Sequence, residues 1–78
     1  MSGADSSHRN HVNTLFRDHY QWLCTRLRRQ SNDAATAEDI AAETFAQLLE
    51  APGLTAIREP RALLTTIAQR LLYERWRR

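Results

Sequence analysis

The 78-residue chain is predicted to be all-α: a small three-helix bundle with a long loop between the second and third helices. Two observations predict it. Apolar side chains recur at helical spacing in three separate stretches, and each stretch stops where polar, Pro or Gly residues stand. Residues 1–9, small and polar, are expected as a flexible N-terminal tail, with the folded domain over 10–78.

The first helix is expected from about Asn10 to Arg29, with Val12, Leu15, Phe16, one of His19 or Tyr20, Leu23 and Leu27 facing inward. Arg28 and Arg29, then the polar run from Gln30 to Asp33, stop it. The second helix is expected to open at Thr36, whose hydroxyl can cap it while Asp39, three residues on, supplies an acidic variant of the capping box. Ala37, Ile40, Ala41, Thr44, Phe45 and Leu48 make its inward stripe. Asp39, Glu43 and Gln47 stand at i, i+4 and i+8 and form one outward ridge. Pro52 and Gly53 end this helix, since proline cannot continue it and glycine readily takes positive φ. Pro60 suits the first turn of the third helix, where Leu64, Ile67, Ala68, Leu71 and Leu72 form an apolar stripe with Leu63 and Trp76 at its edges. Thr66, Gln69, Arg70, Tyr73 and Arg77 are left for the other face.

Composition narrows the function classes. Apolar residues at 42% and charged residues at 26% are ordinary for a soluble globular domain. Cys24 is the one cysteine, so no internal disulfide is possible, and a reducing cytoplasmic setting fits. The N-terminus has no apolar signal region, and no apolar run reaches the roughly 20 residues of a membrane span. Neither export nor membrane insertion is expected.

Charge is polarised along the chain. Residues 1–50 hold five Arg against seven acids, whereas residues 51–78 hold six Arg against two acids. From Gln30 to Ile57 there is no Lys, Arg or His, yet Asp33, Glu38, Asp39, Glu43 and Glu50 fall there. A helix that needed only solubility would mix signs, because Glu and Lys at i,i+4 support each other by about 0.2–0.5 kcal/mol. The acidic second helix therefore suits a basic partner, and the basic C-terminal segment suits a polyanion such as nucleic acid.

Three fragments together, FRDHYQWLCTRLRR (16–29), AEDIAAETFAQLL (37–49) and IREPRALLTTIAQRLLYERWRR (57–78), resemble region 2, the N-terminal promoter-binding domain, of extracytoplasmic-function sigma factors, and of the iron-uptake type in particular. The resemblance covers roughly residues 12–78. It implies a bacterial transcription initiation factor that binds core RNA polymerase and recognises and melts the promoter −10 element. In that type, a siderophore receptor and an inner-membrane anti-sigma protein control transcription. By this resemblance Asp39, Ile40, Glu43 and Gln47 dock on the basic coiled coil of the polymerase β′ subunit. The loop at about Leu54 to Pro60 accepts a base flipped from the non-template strand, with Arg58, Glu59 and Arg61 lining it. Thr66, Gln69, Arg70 and Tyr73 face the DNA, with Arg77 and Arg78 following the backbone. Glu59 also suits the N-terminus of the third helix, and Arg58 could simply pair with it. An anti-sigma segment would find purchase on Leu15, Phe16, Trp22 and Leu23, residues that suit a core better. Two departures stand out: Leu63 occupies a place where many sigma factors carry an aromatic that holds melted DNA, and the second, −35-binding domain is absent from this chain.

Two other readings compete. A free-standing helix-turn-helix repressor joins its last two helices by a turn of about 3–4 residues, whereas the gap from Ala51 to Glu59 is nine. A helical protein-interaction module would need no DNA contacts at all. Enzymatic readings find little: His8, His11 and His19 lack a completing zinc ligand, Cys24 has no identifiable base, and Gly3 and Gly53 make no phosphate-cradling loop. No catalytic residue, metal or cofactor is expected.

Overall fold

The computed structural model describes residues 3–50 and 58–77, which form α1 (Gly3–Ser31), α2 (Ala34–Glu50) and α3 (Pro60–Arg77). Among the described residues there is no strand, as the all-α expectation requires. About nine residues separate α2 from α3; the expected loop lies mostly within 51–57, outside the described residues, as do the Pro52 and Gly53 stop and Arg78.

The first helix begins at Gly3 rather than near Asn10. No proline interrupts the stretch, and His8 supplies a tertiary anchor: its Nε2 donates to the Leu48 carbonyl at 2.7 Å. That carbonyl is one of the last four of α2, which a helix leaves without an intrahelical acceptor role. At about 1.5 Å per residue, the 29 residues of α1 set the long dimension of the molecule, 41 Å.

α1 ends in a short reversal. Asn32 takes φ 56°, the left-handed conformation that asparagine tolerates, and its N–H donates to the Arg28 carbonyl at 2.9 Å. Asp33 then caps α2. Its carbonyl accepts from the Ala37 N–H, its Oδ1 accepts from the Ala35 N–H at 3.2 Å, and its Oδ2 accepts from the Thr36 hydroxyl at 2.6 Å. The cap is thus Asp33, not Thr36: once Asn32 has reversed the chain, the first residue able to accept from the exposed N–H groups is Asp33. Thr36 serves the cap from inside the helix.

α2 and α1 share the largest interface, with α3 laid across both. Ala37, Ile40, Ala41, Thr44, Phe45 and Leu48 are all buried, as the periodicity predicts. Facing them are Val12, Leu15, Leu23, Cys24 and Leu27 from α1 and Leu64, Ala68, Leu71 and Leu72 from α3. Each fully buried leucine of this set contributes about 1.5–3 kcal/mol by leaving water. Thr44 is the buried polar residue, and its hydroxyl donates to the Ile40 carbonyl at 2.8 Å; among the described residues no buried side-chain N or O atom goes unpaired. Cys24 is buried and free.

Two placements differ from the expected stripes, and one open alternative is resolved. Phe16 is 43% exposed, because it lies at the rim where it stacks on Tyr20 (4.6 Å) and meets the edge of Phe45 (5.2 Å). Of the His19 and Tyr20 alternatives, Tyr20 packs against the core, whereas His19 turns toward α3. Trp76 is 61% exposed, near the end of α3 and outside the core cluster.

Candidate functional site

Two surfaces carry the chemistry, and both are built from helix faces that the core leaves over. On α2, Asp39 and Glu43 are exposed and Gln47 partly so, which places the ridge on the outside. Ile40 is corrected: at 2% exposed it belongs to the core and has no surface to offer a partner. It holds the ridge from beneath, since Ile40 lies on the inward stripe one residue from Asp39.

The ridge has cationic neighbours that the sequence alone hid. The Arg75 guanidinium of α3 lies 3.6 Å from the Asp39 carboxylate, and Arg70 donates to the Gln47 side-chain oxygen at 2.7 Å. Both contacts are exposed, and a pair like Arg75–Asp39 contributes about 0–1 kcal/mol. Glu43 has no ion pair among the described residues. Arg75 was missing from the sequence-based set because helical spacing says nothing about which α3 residue meets which α2 residue. Asp33, at the head of the same helix, is held below the usual carboxylate range, first by the Thr36 hydroxyl bond and then by the Ala35 and Thr36 N–H groups.

On α3, Thr66, Arg70, Tyr73 and Arg77 are exposed and succeed one another at helical spacing, so they line one face. The Thr66 hydroxyl donates to its own helix, to the Ala62 carbonyl at 3.0 Å. Tyr73 is 60% exposed, with the Arg77 guanidinium 5.7 Å from its ring centre. Gln69 is partly covered and donates to the Gln30 side-chain oxygen of α1 at 2.7 Å. At the helix start, the Glu59 carbonyl accepts from the Leu63 N–H at 3.1 Å, which makes Glu59 the cap ahead of Pro60. Arg58 and Glu59 are exposed and make no ion pair with each other. Leu63 packs against the core.

Arg61 reaches across to α1. Its guanidinium sits 4.6 Å over the Trp22 ring and its Nε donates to His19 Nδ1 at 3.4 Å, both on α1. It is drawn by the aromatic face of a neighbouring helix.

Residues 15–78 match the profile of sigma-70 region 2, which spans all three helices and both surfaces. The chain belongs to the sigma-70 family. Its members are transcription initiation factors and not enzymes. The ferric citrate uptake sigma factor FecI of Escherichia coli (strain K12) is 38% identical over 65 residues, which cover 83% of this chain. The iron-uptake type resemblance is thereby borne out. The matched segment spans about 38% of the length of FecI. No solved structure matches significantly. Within this region 2, the acidic ridge lies wholly on α2 and the polar and basic stripe on α3, with Arg70 and Arg75 reaching between them. Among the described residues no helix is long and apolar enough to cross a membrane.

Proposed function

We propose that this sigma region 2 docks on core RNA polymerase through the α2 ridge and recognises and melts the promoter −10 element through α3, in a cytoplasmic factor governing iron-siderophore uptake. One observation carries the reading: a region 2 match across the whole bundle coincides with two exposed faces of opposite character, acidic on α2 and polar to basic on α3. Asp39, Glu43 and Gln47 meet the basic β′ coiled coil, where complementary charge steers encounter and fixes register more than it supplies affinity. On the other face, Gln69 bonds an adenine edge, Arg70 and Arg77 hold phosphate or guanine, and Tyr73 stacks on an unpaired base. Arg58 and Glu59 stand where the chain enters α3 and contact a flipped base of the non-template strand.

Regulation follows from the same surfaces. An anti-sigma segment of an inner-membrane regulator would cover core-binding surface and find apolar purchase at Phe16 and Trp22, the two of the four expected α1 positions that remain partly open. Leu15 and Leu23 are committed to the core.

Selection of single-stranded DNA from a random library by the chain bound to core polymerase tests the DNA half. A −10-like motif enriched over core alone, and lost with Gln69→Ala/Tyr73→Ala, is the expected result. Equal pools with and without the chain would overturn it.

A further inference from the structure

The region 2 reading assigns nucleic-acid contacts to α3 and the segment before it, yet a basic groove runs along α1. Trp22, Thr25, Arg26, Arg29 and Gln30 line an open groove of about 340 Å³. No carboxylate lines it, and among the described residues Arg26, Arg29 and Arg61 form no ion pair within 4.0 Å. Arg26 and Arg29 thus line it without a protein counter-charge, and Arg61 stands over the ring of its Trp22.

The groove is also ordered from below. Trp22 is half-buried against the core, and two guanidiniums lie over its ring, Arg61 at 4.6 Å and Arg26 at 5.8 Å. Cation–π contact restrains side chains that would otherwise lose rotamer freedom on binding an anion. Arg26 and Arg29 follow at i and i+3, neighbours on one helix surface. Thr25 and Gln30 add neutral hydrogen-bonding groups.

The groove adjoins the α3 face at two points. Gln30 accepts from Gln69, and Arg61, which covers Trp22, is an α3 residue bonded to His19. Gln69 and Arg61 thus tie the groove to α3.

We propose that this α1 groove holds the phosphate backbone of single-stranded nucleic acid, with Arg26, Arg29 and Arg61 as its guanidinium contacts and Trp22 as the residue that positions Arg26 and Arg61. The proposal rests on the reading of α3 as a nucleic-acid face and extends that face onto α1. Forked, always-charged guanidiniums suit phosphate oxygens. Continuity with Gln69 favours a strand over an acidic peptide.

The test titrates fluorescein-labelled single-stranded DNA of random sequence with the chain bound to core polymerase, across a series of salt concentrations. Arg26→Ala/Arg29→Ala, Arg26→Lys/Arg29→Lys and Gln69→Ala are run beside it, with helicity and melting of each checked first. The Ala pair is expected to weaken binding about tenfold and to flatten the log–log salt slope by about 1.4, two phosphate contacts at about 0.7 each for single strands. The Lys pair keeps the slope. Unchanged affinity and slope for the Ala pair would overturn the proposal, while enrichment of a −10 motif in the library selection would still leave the α3 reading standing. Loss of polyglutamate binding by the Ala pair, with DNA binding intact, would overturn it in favour of an acidic peptide. No DNA binding by the wild-type complex would overturn both.

Discussion

α2 and α3 are of nearly equal length, yet they divide their surfaces differently. α2 separates them cleanly: six buried residues on one stripe, with Asp39 and Glu43 on the opposite face and a cap at Asp33 that costs the core nothing. α3 buries only Leu64, Ala68, Leu71 and Leu72, and leaves Tyr73 and Trp76 largely in solvent. Its polar side chains also reach sideways, Arg70 and Arg75 to α2 and Arg61 and Gln69 to α1. The difference teaches where binding and folding can be separated. On α2 the outer face can be changed without touching the core, while on α3 the polar residues both display chemistry and tie the helices together.

The strongest way to break this comparison is to attack α2 from inside. Ile40→Ala removes a 2%-exposed side chain and should cost about 2–5 kcal/mol. In a chain of this size that is a large share of total stability, so thermal melts should show the domain largely unfolded at physiological temperature. Ile40→Val should cost only about 0.5–1.5 kcal/mol and leave polymerase binding intact. Loss of binding by a folded Ile40→Val variant would mean that Ile40 touches the partner after all.

Weaker effects sharpen the α3 side. Arg75→Ala removes the Asp39 pair and should shift stability by no more than about 1 kcal/mol, given the exposure of both side chains. A chemical melt that moved by several kcal/mol would show the α2–α3 contact to be structural. The smallest effect belongs to the cap. Asp33→Ala should lower the melting temperature measurably, and Asp33→Asn should avoid most of that loss because its amide oxygen still caps. The sign of the pH dependence follows from the lowered pKa of Asp33: the folded state prefers the carboxylate, so this stabilisation is present above the ordinary value of 3.8 and is lost as pH falls from there through the lower folded-state value. The Asp33→Ala melt should therefore differ from wild type at neutral pH and converge on it in strong acid.

Much of this was legible before any coordinates. The α2 stripe is a matter of period alone, and all six of its residues came out buried. Pro60 announced the start of α3 because its fixed φ and missing N–H suit that position. The cap was less legible: Asp33 and Thr36 are both good capping residues, and the choice depended on Asn32 adopting the left-handed conformation. Ile40 carried two incompatible assignments, core by its spacing and surface by resemblance, and burial decided between them. Contacts between residues far apart in the chain, such as Arg61 with Trp22 and Arg75 with Asp39, were not legible at all, since no local pattern encodes how two helices are rotated against each other.

The most direct measurement is an anisotropy titration of the labelled chain with a β′ coiled-coil fragment of bacterial RNA polymerase, at low and high salt, with wild type beside Asp39→Arg/Glu43→Arg. Exposed substitutions should change stability by only about 0.5 kcal/mol each, so matched melts separate binding from folding. The account predicts wild-type binding that weakens with salt and is lost in the charge-reversed variant, with the two melting curves nearly superimposed. Equal binding by both proteins, or no binding by a folded wild type, would contradict it.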